Sequence, residues 1–158
     1  MNLIHSTTGF FHVATALETM ILGTLMLIRK KGTPFHRFLG YGYFYSMLAM
    51  NISSFALTGL TGSFGPFHVA AVSSLLTLIA GIIPAIRRKP ARKWIMIHGT
   101  FMYFSVVGLY AAFFSELFTR IPHQPFYTMV FMATAGVTIA GTLLYIKWKP
   151  KWLAQFNS

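Results

Sequence analysis

Four histidines stand one to each of the first four apolar stretches of the chain: His12, His36, His68 and His98. Neutral imidazole can ligate a metal or a haem iron. Each of these four lies near the N-terminal end of its stretch, where the positive end of a helix dipole disfavours imidazolium. His12 and His68 share a tetrapeptide, Phe-His-Val-Ala, at 11–14 and again at 67–70. A b-type haem between membrane helices takes two imidazoles and apolar walls. His12 with His68 is the candidate pair for the outer leaflet, and His36 with His98 for the inner one. The inner pair is less well matched, because His36 stands beside Arg37 at the interface while His98 lies about one turn deeper relative to Lys93.

Only two acids occur, Glu18 and Glu116. Glu18 falls near the middle of the first stretch, where a carboxyl is costly and marks a functional candidate. It would tune the outer site, relay protons or act as a catalytic base. At about 100° per residue it lies about 120° around the helix from His12, so the two need not share one ligand. The plain alternative is a protonated carboxyl bonded to Asn51, a threonine or a tyrosine. Glu116 precedes Arg120 by four residues, the favourable order for a helix ion pair. Even so, His12, His68 and Glu116, with His123 or His5, amount to a zinc set. Zinc accepts three His or Glu ligands and keeps a water for hydrolysis, with Glu18 as the base. No His-Glu-x-x-His motif supports it. The methionines could serve soft copper ions, but far more often they pack.

The elements that carry these residues follow from composition. The chain is 55% hydrophobic and 9% charged, against about 25% charged in soluble domains, so it reads as one integral membrane domain over residues 1–158. Its net charge of +11 does not point to nucleic acid. Twelve of the thirteen cations fall in three short clusters, Arg29 to Arg37, Arg87 to Lys93 and Lys147 to Lys151, as retention of basic loops on the cytoplasmic side requires. Contact with anionic lipid is secondary. Cysteine is absent, which removes disulfides and thiolate sites. The first apolar run is too long for a signal-peptide core, so no cleaved signal is expected.

A membrane-crossing helix needs about 20 apolar residues. Five segments qualify, about 7–28, 36–59, 65–86, 94–118 and 126–146. The expectation is an all-α bundle of five transmembrane helices, N-terminus out and C-terminus in. Glycine and proline breakers separate the segments, and Pro84 should bend or end the third. Gly40, Gly42, Gly108, Ala111 and Ala112 permit close helix contact. Ile28-Arg29-Lys30-Lys31 is echoed by Ile86-Arg87-Arg88-Lys89. With the two Phe-His-Val-Ala copies, this suggests that spans 1–2 and 3–4 duplicate one helical hairpin, the fifth span being added.

His36-Arg37-Phe38-Leu39-Gly40, Asn51, Phe64-Gly65-Pro66-Phe67-His68, His98 and the Ser105 to Glu116 segment resemble a family of small bacterial membrane proteins classed as a domain of unknown function. That resemblance implies a multi-span membrane protein in which His36, His68 and His98 match the family pattern, and it brings no activity. The paired histidines also resemble, in arrangement alone, di-haem cytochromes b of the ascorbate-linked type.

Three functions stay open. The first is a membrane haem b or metal-binding redox protein with His12, His68, His36 and His98 as ligands and a membrane redox partner or quinone. The second is a zinc-dependent membrane hydrolase on the outer His/Glu set. The third is a non-catalytic subunit or small transporter in which histidines are packing residues. A homo-oligomer suits all three, and the expected location is a bacterial inner membrane.

Overall fold

A computed structural model of the chain describes residues 6–57, 62–89 and 93–155. It contains five helices: α1 (Thr7–Ile28), α2 (Pro34–Ser54), α3 (Pro66–Arg87), α4 (Trp94–Phe118) and α5 (Phe126–Ala154). No strand occurs among the described residues. The all-α expectation holds. Four of the helices, α1, α3, α4 and α5, are long and apolar enough to cross a membrane, and α2 falls short by composition.

The helix starts are set by local chemistry. Ser6 accepts the Gly9 N–H and caps α1, and Thr33 accepts the His36 N–H and caps α2 ahead of Pro34, a residue whose missing N–H costs nothing at a first helical position. The ends depart more from expectation. The second segment was expected to run to residue 59, but α2 stops at Ser54. Ser53 and Ser54 turn their hydroxyls back onto the carbonyls of Met50 and Asn51, and the backbone tightens into i→i+3 bonds from Phe55 onward. α3 runs through Pro84 to Arg87, so of the two expected effects of Pro84, a bend or an end, it does not end the helix. α5 continues past 146 to Ala154, because its last turns carry an aromatic cluster. Trp152 lies 5.4 Å from Tyr103 and 6.4 Å from Tyr145, ring to ring, and Lys149 reaches over Tyr145.

The chain divides into two compact units, Met1–Leu78 and Ile79–Ser158, with the boundary inside α3. In the first, α1 packs along α2. α1 offers Gly9, Thr15, Thr19 and Gly23 as its buried face, small residues that let backbones approach. The two threonine hydroxyls are satisfied within their own helix. Asn51 of α2 is buried and donates through Nδ2 to the Met47 carbonyl at 2.8 Å and to Ser74 Oγ of α3 at 3.1 Å.

In the second unit α5 packs along α4, and α3 meets α4 where His98 reaches the Gly81 carbonyl. A ladder of polar contacts joins α4 to α5. Tyr103 Oη donates to the Gly141 carbonyl at 2.7 Å, Thr100 Oγ1 and Tyr145 Oη share a hydrogen bond of 2.5 Å, and Ser115 and Thr134 hydroxyls lie 3.1 Å apart. Among the described glycines, space is tightest at Gly81 and Gly141, where an added Cβ would fall within 2.8 Å of Met102 Sδ and 2.7 Å of Val107 Cγ2. Gly108, expected at a helix contact, has open space around it.

Candidate functional site

The histidines are best read one nitrogen at a time. His12 is the sixth residue of α1 and half-buried. Its Nδ1 lies 3.1 Å from the Met50 carbonyl oxygen and 3.0 Å from Ser53 Oγ, both on α2. The carbonyl can only accept, and the Ser53 hydroxyl proton is already given to the same carbonyl at 2.8 Å. Nδ1 therefore carries the proton, and the ring lone pair is on Nε2. His98 of α4 has the same arrangement in the second unit, with Nδ1 2.8 Å from the Gly81 carbonyl of α3. Three residues beyond, Pro84 lacks the N–H that the Ala80 carbonyl would accept, which loosens the helix ladder beside Gly81.

His68 is the reverse. It is buried, stacked on Phe64 at 5.0 Å and near Phe55 at 6.1 Å. Its Nδ1 accepts the Gly65 N–H at 3.0 Å, so its proton is on Nε2. The Gly65 carbonyl accepts from Val69 N, Pro66 opens the helix and His68 is its third residue. This is the returning half of a capping box, with an imidazole in the place usually taken by Glu or Gln. His36 is likewise the third residue of α2, after Thr33 and Pro34. Pro-Phe-His at 34–36 and at 66–68 is thus a repeat in matching helical register. Phe-His-Val-Ala is not, since His12 comes one turn later in α1 than His68 does in α3. A proline followed two residues later by histidine was the signal in the sequence for this cap.

His12 and His68 do gather at one end of the first unit, since their partners are Met50, Ser53 and Phe55 at the end of α2. A bis-imidazole haem needs the Nε2 lone pair of both rings. His12 fits that demand. His68, held through Nδ1 as an acceptor, carries a proton on Nε2 instead. His36 and His98 belong to different units.

Glu18 is exposed on α1. Asn51, one of the groups the sequence offers as a hydrogen-bond partner for Glu18, donates instead to Met47 and Ser74. The small residues of α1 face α2, and Glu18 is turned away from them. Glu116 receives Arg120 Nη2 at 2.7 Å, an exposed i,i+4 pair. His123 lies in the turn before α5 with a left-handed φ of 62°. The zinc set draws His12 and His68 from one unit and Glu116 and His123 from the other. Within neither unit do three His, Asp or Glu side chains come together among the described residues. His5 lies outside the described residues.

Among the described residues, one charged group outside the helices is perturbed. Lys31 closes the C-terminal end of α1, donating from Nζ to the carbonyls of Met26, Leu27 and Arg29, the end at which cations are favoured. Burial pushes its pKa down to about 8.

One family model matches residues 9–147 of the chain, under the description "Predicted membrane protein (DUF2306)". No curated protein and no solved structure matches it.

Proposed function

From the premise that the chain belongs to this membrane-protein family, we propose that it is a non-catalytic membrane subunit, a small helical module that works by association within the bilayer. The observation that carries this reading is the use of the histidines. His12, His68 and His98 each commit Nδ1 to helix backbone, two as ties between helices and one as a cap. A subunit is favoured over a transporter by Glu18. An intramembrane carboxyl that handles substrate faces a protein-lined cavity, and this one is exposed on α1.

In this reading α2 is a fifth span. Its polar Ser46, Asn51 and Ser53 are buried, while Phe38, Tyr41, Tyr45 and Ile52 are exposed, the arrangement that lipid favours. The N-terminus is then outside and the three basic clusters are on the cytoplasmic side of a bacterial inner membrane.

The test is an absorption spectrum with elemental analysis of detergent-purified protein from haem-replete cells. The expected result is colourless protein without stoichiometric metal, unchanged in both respects by His12→Ala, His68→Ala or His98→Ala, and retaining a protein partner in mild detergent. A haem band or bound zinc that any of these substitutions removes sinks the reading.

A second reading has one specific observation in its favour. His12 and His98 each donate Nδ1–H to a backbone carbonyl, the outer interaction that orients metal-ligating imidazoles and leaves Nε2 as the donor atom. On it the protein is a membrane b-type haem redox protein with His12 as a ligand, and His12→Ala, rather than His68→Ala, is the substitution that removes the band.

A further inference from the structure

We infer that Glu18 is the centre of a self-association seam, pairing with Glu18 of a second copy of this chain across a parallel α1–α1 contact. The inference deepens the subunit reading by naming a partner, and it rests on that reading's placement of α1 across the bilayer.

Depth comes first. α1 extends about 16 Å from Thr7 to Glu18 and about 15 Å from Glu18 to Ile28, at roughly 1.5 Å per residue, so the carboxyl sits at the middle of the helix. Among the described residues it has no hydrogen bond or ion pair. All thirteen cations of the chain lie in or beside connecting segments or in the tail, so none is built to meet a carboxylate at mid-depth. A carboxyl at that depth needs a polar partner within the bilayer. The group that matches it in shape and depth is another carboxyl, held to it by hydrogen bonding between the two.

Register is the second observation. Thr7, Phe11, Ala14, Glu18, Ile21, Leu25 and Ile28 follow one another at alternating steps of four and three, the repeat of a left-handed helix pair. All but Leu25, which is half-buried, are exposed, while the opposite side of α1 is spent on α2. A single polar residue within such a seam sets register and oligomeric state. In lipid it also supplies the attraction, because apolar side chains gain nothing by leaving the tails.

Symmetry is the third. Two copies inserted with the same topology are related by an axis along the membrane normal, and a two-fold contact of this kind sets a residue near the axis against itself. Glu18 therefore meets Glu18 at equal depth.

The test uses the full chain in phosphatidylcholine vesicles. Because the chain has no cysteine, single substitutions Ala14→Cys and Ile21→Cys report the seam through mild oxidation, with Ile139→Cys on the exposed side of α5 as the collision control. The expected result is dimer formation at 14 and 21 well above that at 139. Adding Glu18→Leu should weaken association about tenfold, and Glu18→Gln, which keeps a donor and an acceptor, should retain it. Crosslinking at 14 and 21 no greater than at 139, or insensitive to Glu18→Leu, overturns the pairing. The absorption spectrum of the same preparation judges the subunit reading separately: a haem band counts against that reading whatever the crosslinking gives, and failure of the seam leaves the spectrum unchanged.

Discussion

The imidazole of His12 ties α1 to α2 by placing Nδ1 3.1 Å from the Met50 carbonyl oxygen and 3.0 Å from Ser53 Oγ. One N–H serves two acceptors that are themselves joined. His12→Ala should therefore destabilise the folded protein by about 1–2 kcal/mol. His12→Asn, which retains an N–H donor, should lose less, and Ser53→Ala less still. Unfolding in mixed micelles measures the order. An alanine variant as stable as the parent would remove the tie from the account.

His68 makes a different prediction, because its ring is a cap. Glu or Gln usually fills the third position of a capping box, so the neutral His68→Gln should fold with near-parent stability, while His68→Ala should lose about 1 kcal/mol. A metal ligand would not tolerate that exchange. Thermal unfolding read by circular dichroism separates the two, and a glutamine variant as weak as the alanine variant contradicts the cap.

The contrast between these histidines marks how far the sequence could be read. Helix starts at Thr7, Pro66, Trp94 and Phe126 lie within a residue of where apolar runs, capping residues and prolines put them, because those signals are local. The i,i+4 pair of Glu116 and Arg120 was legible for the same reason. Which ring nitrogen of a histidine holds the proton was not, since it depends on a carbonyl 38 residues away for His12 and on an N–H three residues back for His68. Two identical tetrapeptides fell in different helical registers for a related reason: the start of each helix, not the tetrapeptide, fixes the register. The end of α2 was misplaced because serine hydroxyls compete for the carbonyls on which an apolar count does not depend. The α4–α5 packing turns on Gly141, whose importance is visible only when Val107 lies opposite.

That contact gives a third prediction. An alanine Cβ at position 141 would sit 2.7 and 2.8 Å from the two Cγ atoms of Val107. Valine is stiff at χ1 and cannot clear both by rotation, so α4 and α5 must separate, stretching the 2.7 Å bond from Tyr103 Oη to the Gly141 carbonyl. Gly141→Ala should cost about 1–3 kcal/mol. Val107→Ala in the same chain should recover most of that loss, and a double variant no more stable than Gly141→Ala alone rules out the steric explanation. By contrast Gly108→Ala, with open space around the glycine, should be neutral or gain a few tenths of a kcal/mol through helix propensity.

Lys31 supplies the pH dependence. Its ammonium donates to the last carbonyls of α1, which favours charge, but desolvation outweighs them and sets its pKa at about 8, below the usual 10.5. Below pH 8 the group is charged in both folded and unfolded chains, and the fold carries the whole cost of desolvating it. Between about 8 and 10.5 the folded group is neutral while the unfolded one still binds a proton. The unfolded state then holds more protons, so this residue's contribution to stability rises with pH across that window. Unfolding midpoints measured from pH 7 to 10.5 should carry this upward component in the parent chain and lack it in Lys31→Gln. Acylation of Lys31, followed by mass spectrometry, should show an inflection near pH 8, because only the neutral amine reacts. A parent and a Lys31→Gln variant with the same slope across the window would mean that the carbonyls, not burial, govern the group.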